Sequence, residues 1–219
     1  MTKVVQSPEK TGPAQSEPRY EFRMFATDLL MLEERLRLEG IVTGYRESLE
    51  TYLVSPGNDS HNIKIRDACL DIKVLVGSKG ALEHWRPTLK HAFPVPAEII
   101  SAHLPKPTGS ATLAWQRPIY SLDEFKAEIA SSQRVWVPVN VFKRRYGFEL
   151  PECTAETAQV LVNGAAVSTV CLESEKPDRV LASASLLGCA DLENVNYVTA
   201  LKRIISLAPL PDKAYYRAW

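Results

Sequence analysis

At 219 residues, with 45% apolar and 24% charged residues, the chain has the make-up of a globular domain and can bury a core, which excludes disordered and fibrous classes. Lys plus Arg and Asp plus Glu are equal at 26 each, so nothing in the overall charge draws the chain to nucleic acid or anionic membrane. Any basic site must be local.

Met1 to Pro18 is polar and rich in Pro, Ser, Glu and Gln, and reads as a disordered tail ahead of one domain over residues 19–207. Tyr20 to Phe25 is a short strand. Thr27-Asp28 caps a helix over Leu29 to Leu38, which Gly40 stops. Aromatic and β-branched residues return from Ile41 to Val54, before the turn signal Ser55-Pro56-Gly57-Asn58-Asp59. Strands are expected at Asn62 to Asp67 and Leu70 to Val76, with a break at Gly77-Ser78-Lys79-Gly80.

Beyond this the prolines between Pro94 and Pro107 confine a helix to about Ala97 to His103, and a loop runs on to Pro118. Ser121 and Glu124 have capping-box spacing and open a helix through Ala130. Arg134 to Leu150 is the longest strand, with Val135, Val137, Val139 and Val141 alternating against Arg134, Trp136 and Asn140. Asn163-Gly164 joins Thr157 to Val162 and Ala166 to Glu175 as a hairpin. Helices follow from Pro177 to Leu187 and over Tyr197 to Leu207. The aromatic tail, residues 208–219 with Tyr215, Tyr216 and Trp219, is a surface for docking on the body, on a protein partner or on a second copy. The fold class is α+β, mainly antiparallel β: an eight-stranded tunnel or barrel that closes on itself, with a few helices packed outside.

The four cysteines, Cys69, Cys153, Cys171 and Cys189, are widely spaced without a Cys-x-x-Cys pair, and no apolar run reaches the roughly 20 residues of a membrane span. A cytoplasmic setting without membrane insertion is expected. The histidines have no ligand spacing, and neither a phosphate-binding Gly-rich loop nor a nucleophile elbow is present.

The charged strands carry the functional reading. In His61 to Arg66, Ile63 and Ile65 share one face and Asn62, Lys64 and Arg66 the other; in Leu70 to Val74 the polar pair is Asp71 and Lys73. A two-residue turn at Ala68-Cys69 would set Ile63 against Val74, Arg66 against Asp71 and Lys64 against Lys73. Like charges directly opposite one another are unfavourable. Such a face is either wet or, if it lines a closed barrel, relieved by an anion or by facing carboxylates. Lys143-Arg144-Arg145 must place at least one cation on each face of its strand, and Glu173 and Glu175 at i and i+2 can hold a hard divalent cation.

The order of these pieces resembles the CYTH or triphosphate tunnel metalloenzyme superfamily over roughly Tyr20 to Leu207. Tyr-Glu-Phe-Arg-Met-Phe is similar to its opening strand, Asn-Ile-Lys-Ile-Arg and Leu-Asp-Ile-Lys to its paired basic strands, and Phe-Lys-Arg-Arg-Tyr to its later basic strand. Leu-Glu-Ser-Glu is similar to its acidic strand, and Asn-Tyr-Val-Thr-Ala-Leu to its closing helix. The resemblance implies an eight-stranded tunnel whose cations grip a triphosphate while carboxylates hold magnesium or manganese. By position, Lys64, Arg66, Lys73 and Arg145, with Lys143 and Arg86, would bind phosphate, and Glu21, Glu173 and Glu175 the metal. The family's opening Glu-x-Glu-x-Lys reads here Glu21-Phe22-Arg23-Met24-Phe25.

Three functions are compatible with these residues. The first is a metal-dependent triphosphatase-like hydrolase acting on a triphosphate, nucleoside triphosphate or polyphosphate. The second is a module that binds such a ligand without turnover. The third is an interaction protein whose charged strands are solvated.

Overall fold

A computed structural model describes residues 17–105, 115–131 and 135–210. Most of the N-terminal tail, Arg134 and the aromatic end at Tyr215, Tyr216 and Trp219 lie outside the described residues. Eight long strands form a closed antiparallel barrel in the order β1-β10-β9-β8-β2-β3-β4-β5. They are β1 (Arg19–Ala26), β2 (Ile41–Val54), β3 (His61–Arg66), β4 (Cys69–Lys79), β5 (Leu82–Ala92), β8 (Val137–Leu150), β9 (Cys153–Val162) and β10 (Ala165–Ser174). The short strands β6 (Val95–Pro96) and β7 (Ile119–Tyr120) pair outside it.

The strands alternate with period two, and around much of the barrel the more apolar face is covered by helices. Helices α1 (Leu30–Glu39) and α4 (Pro177–Leu187) bury Leu32, Leu36, Val180 and Leu187 against Phe22, Met24, Phe148 and Leu172. Helices α2 (Ala97–His103) and α3 (Leu122–Ser131) bury Ile100, Phe125 and Ile129 against Ile63, Ile65, Leu70 and Ile72. The α3 capping box forms as its spacing requires: Glu124 N–H donates to Ser121 Oγ, and Ser121 N–H donates to the Glu124 carboxylate at 2.9 Å. Helix α5 (Tyr197–Ile204) packs Tyr197 and Leu201 onto the lumen-facing Tyr52, Val139, Val141 and Val160, filling one end of the barrel.

Three local expectations change. The β3–β4 turn is Asp67-Ala68, both at positive φ (51° and 53°), rather than Ala68-Cys69. That is the two-residue turn whose twist matches the flanking strands. Pairing shifts by two residues, so the faces are kept but Lys64 lies opposite Asp71, Asn62 opposite Lys73, and Arg66 opposite Cys69. The expected Lys64–Lys73 confrontation is therefore absent. Next, β4 runs through Gly77 to Lys79, with register irregularities that let it bend, and the chain turns at Gly80. Finally, β5 spans a stretch with no strand signal of its own, where Pro87 falls at one of those irregularities.

Candidate functional site

The barrel interior holds charged side chains from every strand direction. Alternation sends Lys143 and Arg145 inward and Arg144 outward, where Arg144 Nε meets Glu47 at 2.9 Å. Lys64 and Arg66 come from β3, Asp71 and Lys73 from β4, and Ser48, Glu50 and Tyr52 from β2.

Glu50 is the centre of the basic pole. It is fully buried, and four cations surround its carboxylate: Lys143 Nζ at 3.1 Å, Arg145 at 3.5 Å, and Lys64 and Arg66 at 3.8 Å. Burial opposes its charge, yet Lys64, Lys143 and Arg66 hold its pKa far below the ordinary carboxylate range. Ser48 relays the network, with Arg145 donating to Ser48 Oγ at 2.8 Å and Ser48 donating to Glu50 at 3.0 Å. Asp71 takes a hydrogen bond from Arg66 at 2.8 Å.

The innermost cations rest on aromatic faces. Lys143 Nζ lies 3.6 Å from the Tyr197 ring centre and contacts Tyr52 Oη at 2.6 Å, while Arg23 stacks over Tyr197 at 4.7 Å. Burial pushes the Lys143 pKa well below the usual lysine value against the opposing pull of Glu50, and lowers that of Lys64 in the same way.

An acidic row lies across β5, β1 and β10. Glu21 is paired in register with Glu83 on one side and Glu173 on the other. Three carboxyls side by side repel one another unless protons or cations intervene. Arg23 Nε meets Glu21 at 2.8 Å and Lys73 Nζ meets Glu173 at 3.6 Å. Burial pushes Glu21 up, but Arg23 and Lys73 draw it down to about 2. Glu173 goes the other way: burial and the Glu21 charge raise it against the pull of Lys73. Glu83, raised by burial, accepts from Trp85 Nε1 at 3.0 Å and Asn196 Nδ2 at 2.8 Å. The two carboxyls thus shift in opposite directions, as like charges held side by side do, and a divalent cation between them would relieve that repulsion.

Glu21, Glu173 and Cys171 place donor atoms within 4.8 Å of one another. The two carboxylates suit a hard cation such as magnesium or manganese. Burial raises the Cys171 thiol well above its usual value, which keeps it protonated and unsuited to that role. A cavity of about 440 Å³ reaches Arg23, Glu156, Cys171 and Glu173. Glu156 links the two poles, 3.9 Å from both Arg23 and Arg145.

Of the residues expected at the site, Lys64, Arg66, Lys73, Lys143, Arg145, Glu21 and Glu173 converge in the lumen. Two do not. Arg86 is exposed on β5: Glu83 and Trp85 share the inner face, so period-two alternation puts Arg86, opposite Val74, on the outer face. Glu175 is exposed beyond the end of β10, which stops at Ser174, so its alternation with Glu173 ends before it reaches the lumen. Sequence reasoning missed Glu50, Glu83 and Glu156. Glu50 sits beside Leu49, which is 70% exposed, so the hydrophobic pattern of β2 points the wrong way. Its pairing with Arg66 across β2–β3 is the signal that could have found it.

No family model matches the chain, and no curated protein matches it. Similar solved structures include a conserved hypothetical protein from Pyrococcus furiosus, at 16% identity over 84% of this chain and 98% of that one, with a TM-score of 0.47. A protein from Pyrococcus horikoshii OT3 matches at 14% identity over 85% and 99%, TM-score 0.48. A Hippeastrum protein described as an adenylyl cyclase candidate with a dominant triphosphatase activity matches at 13% identity over 88% and 98%, TM-score 0.47.

Proposed function

We propose that the barrel lumen binds a triphosphate-bearing or polyphosphate ligand together with a divalent cation, magnesium or manganese. The observation that carries this reading is the cluster of Lys64, Arg66, Lys143 and Arg145 around one buried carboxylate, with the Glu83–Glu21–Glu173 row in the same lumen. A phosphate chain and its cation make a ligand with a negative and a positive part, matching the two poles. Arg66 and Arg145 supply forked donors for phosphate oxygens, and Lys64 and Lys143 supply point charges. Glu21 and Glu173 would hold the cation, which would neutralise phosphate charge and lower the pKa of a bound water.

Calorimetry with tripolyphosphate, with and without magnesium, tests this reading. Binding that weakens in Lys64→Ala and Arg145→Ala is expected, and no binding under either condition refutes it. Hydrolysis of the phosphoanhydride is the second reading, favoured by the same carboxylates. Against it stands Arg23, whose guanidinium is 2.8 Å from Glu21 and competes with a cation for that oxygen, which weighs against a metal held firmly enough for turnover. Binding without turnover is therefore the reading we favour, and steady release of phosphate from tripolyphosphate or ATP by the purified protein would reverse that preference.

A further inference from the structure

A phosphate site gains nothing from a carboxylate at its centre, because the carboxylate repels the ligand and occupies its donors. Glu50 nevertheless sits there, with no solvent exposure. Its contacts with the four cations, at 3.1 to 3.8 Å, are longer than the roughly 2.7–2.9 Å of a charge-assisted hydrogen bond. Among the described residues no donor is aligned for a hydrogen bond to its Oε2, although Lys143 Nζ lies 3.1 Å away, and no acceptor is aligned for the buried Arg145 Nε. Asp71 and Glu156 flank the pole, but Glu50 is the one carboxylate that all four cations share, and its two oxygens serve four donors that a tetrahedral phosphate group would serve better.

We propose that Glu50 is an exchangeable counter-anion that sets the ligand threshold of the lumen. It holds Lys64, Arg66, Lys143 and Arg145 together in the free barrel and yields them to a phosphate chain, while discriminating against a single phosphate. Glu50 remains beside the ligand after exchange, so a lone phosphate trades one anion for another under repulsion. A chain adds oxygens that reach Lys73 and Arg23, which a single phosphate group leaves with Glu173 and Glu21. The inference rests on the phosphate-binding reading above.

The test compares wild type with Glu50→Gln in calorimetric titrations with inorganic phosphate and with tripolyphosphate, without metal. Glu50→Gln is expected to bind inorganic phosphate about 10- to 100-fold tighter, the equivalent of one charged contact regained. Tripolyphosphate should gain less, so the preference for the chain shrinks. Wild type that binds tripolyphosphate while Glu50→Gln shows no gain for phosphate overturns the inference and leaves the binding reading intact. Absence of binding by both proteins removes both. Should Glu50→Gln be unfolded in plain buffer, thermal unfolding with added phosphate decides: restored melting supports the exchange, and a chain that stays unfolded makes Glu50 a fixed structural ion.

Discussion

The two most deeply buried members of the basic pole, Glu50 and Lys143, should respond very unequally to apolar replacement. Glu50→Leu removes the carboxylate shared by Lys64, Arg66, Lys143 and Arg145, leaving Asp71 and Glu156 as their remaining carboxylate partners. Removing one partner of a buried pair costs about 3–5 kcal/mol because the surviving charge stays desolvated. Here four survivors also repel one another, so the upper half of that range is expected. Lys143→Met deletes an ammonium that burial already disfavours, keeps the side-chain volume, and leaves Glu50 three cations. The lost hydrogen bond to Tyr52 is offset by relief of desolvation, and the change should stay within about 1 kcal/mol of wild type. Urea unfolding at neutral pH measures both. Equal losses in the two variants would refute the reasoning, since they would mean that the pair, rather than the shared carboxylate, organises the pole.

Smaller perturbations test the surrounding framework. Ala68→Gly, at φ 53° in the β3–β4 turn, should stabilise the barrel by about 0.5 kcal/mol, read as a higher melting temperature, because relief of left-handed strain outweighs glycine's added unfolded-state entropy. Asn196 accepts from Thr199 N–H at 2.9 Å as the α5 cap and donates to Glu83, so Asn196→Ala should cost about 1–2 kcal/mol in chemical unfolding. On acidification, Glu21 and Glu50 have folded values below the unfolded 4.5 and contribute stability that is full above that value and lost as pH falls toward 2. Glu173, raised, contributes in the opposite sense, below 4.5, and loses that contribution as pH rises through its folded value. Stability should therefore fall between about pH 4.5 and pH 2, with a shallower fall in Glu50→Gln.

Much of the framework was legible because local chemistry and tertiary structure agree. The α2 limits follow from the flanking prolines, α3 from its capping box, and the β9–β10 hairpin from Asn163-Gly164, both at positive φ. The charged faces of β3, β4 and β8 were legible too, since period-two alternation survives any even shift in register. That same property hid the pairing: a shift of two residues leaves Ile63 and Lys64 on their faces yet exchanges Lys73 for Asp71 opposite Lys64. The like-charge conflict belongs instead to Glu83, Glu21 and Glu173, which meet only when β1 closes the barrel between β5 and β10. No spacing within a single strand encodes that encounter. Glu50 was hidden for a related reason, because Leu49 and Phe142 face outward uncovered by a helix and invert the usual pattern.

An interior in which each cation already holds a carboxylate should make metal and phosphate interdependent. Arg23, Lys64, Arg66, Lys73, Lys143 and Arg145 all have a carboxylate oxygen within 3.8 Å. A phosphate chain entering alone must compete with those carboxylates, and a divalent cation entering alone must compete with Arg23 and Lys73. Were both to enter together, each would remove the other's competitor: Glu21 and Glu173 would hold the cation, and Arg23 and Lys73 would be freed for phosphate oxygens. Such coupling is reciprocal and typically amounts to about 5- to 150-fold in affinity. Magnesium should therefore tighten tripolyphosphate binding beyond what their association in solution explains, and Lys73→Ala should reduce the enhancement. Titrations of tripolyphosphate at several magnesium concentrations, corrected for the free complex, measure the factor. An affinity independent of magnesium would mean that the internal ion pairs stay closed, and that the acidic row balances charge without holding a metal.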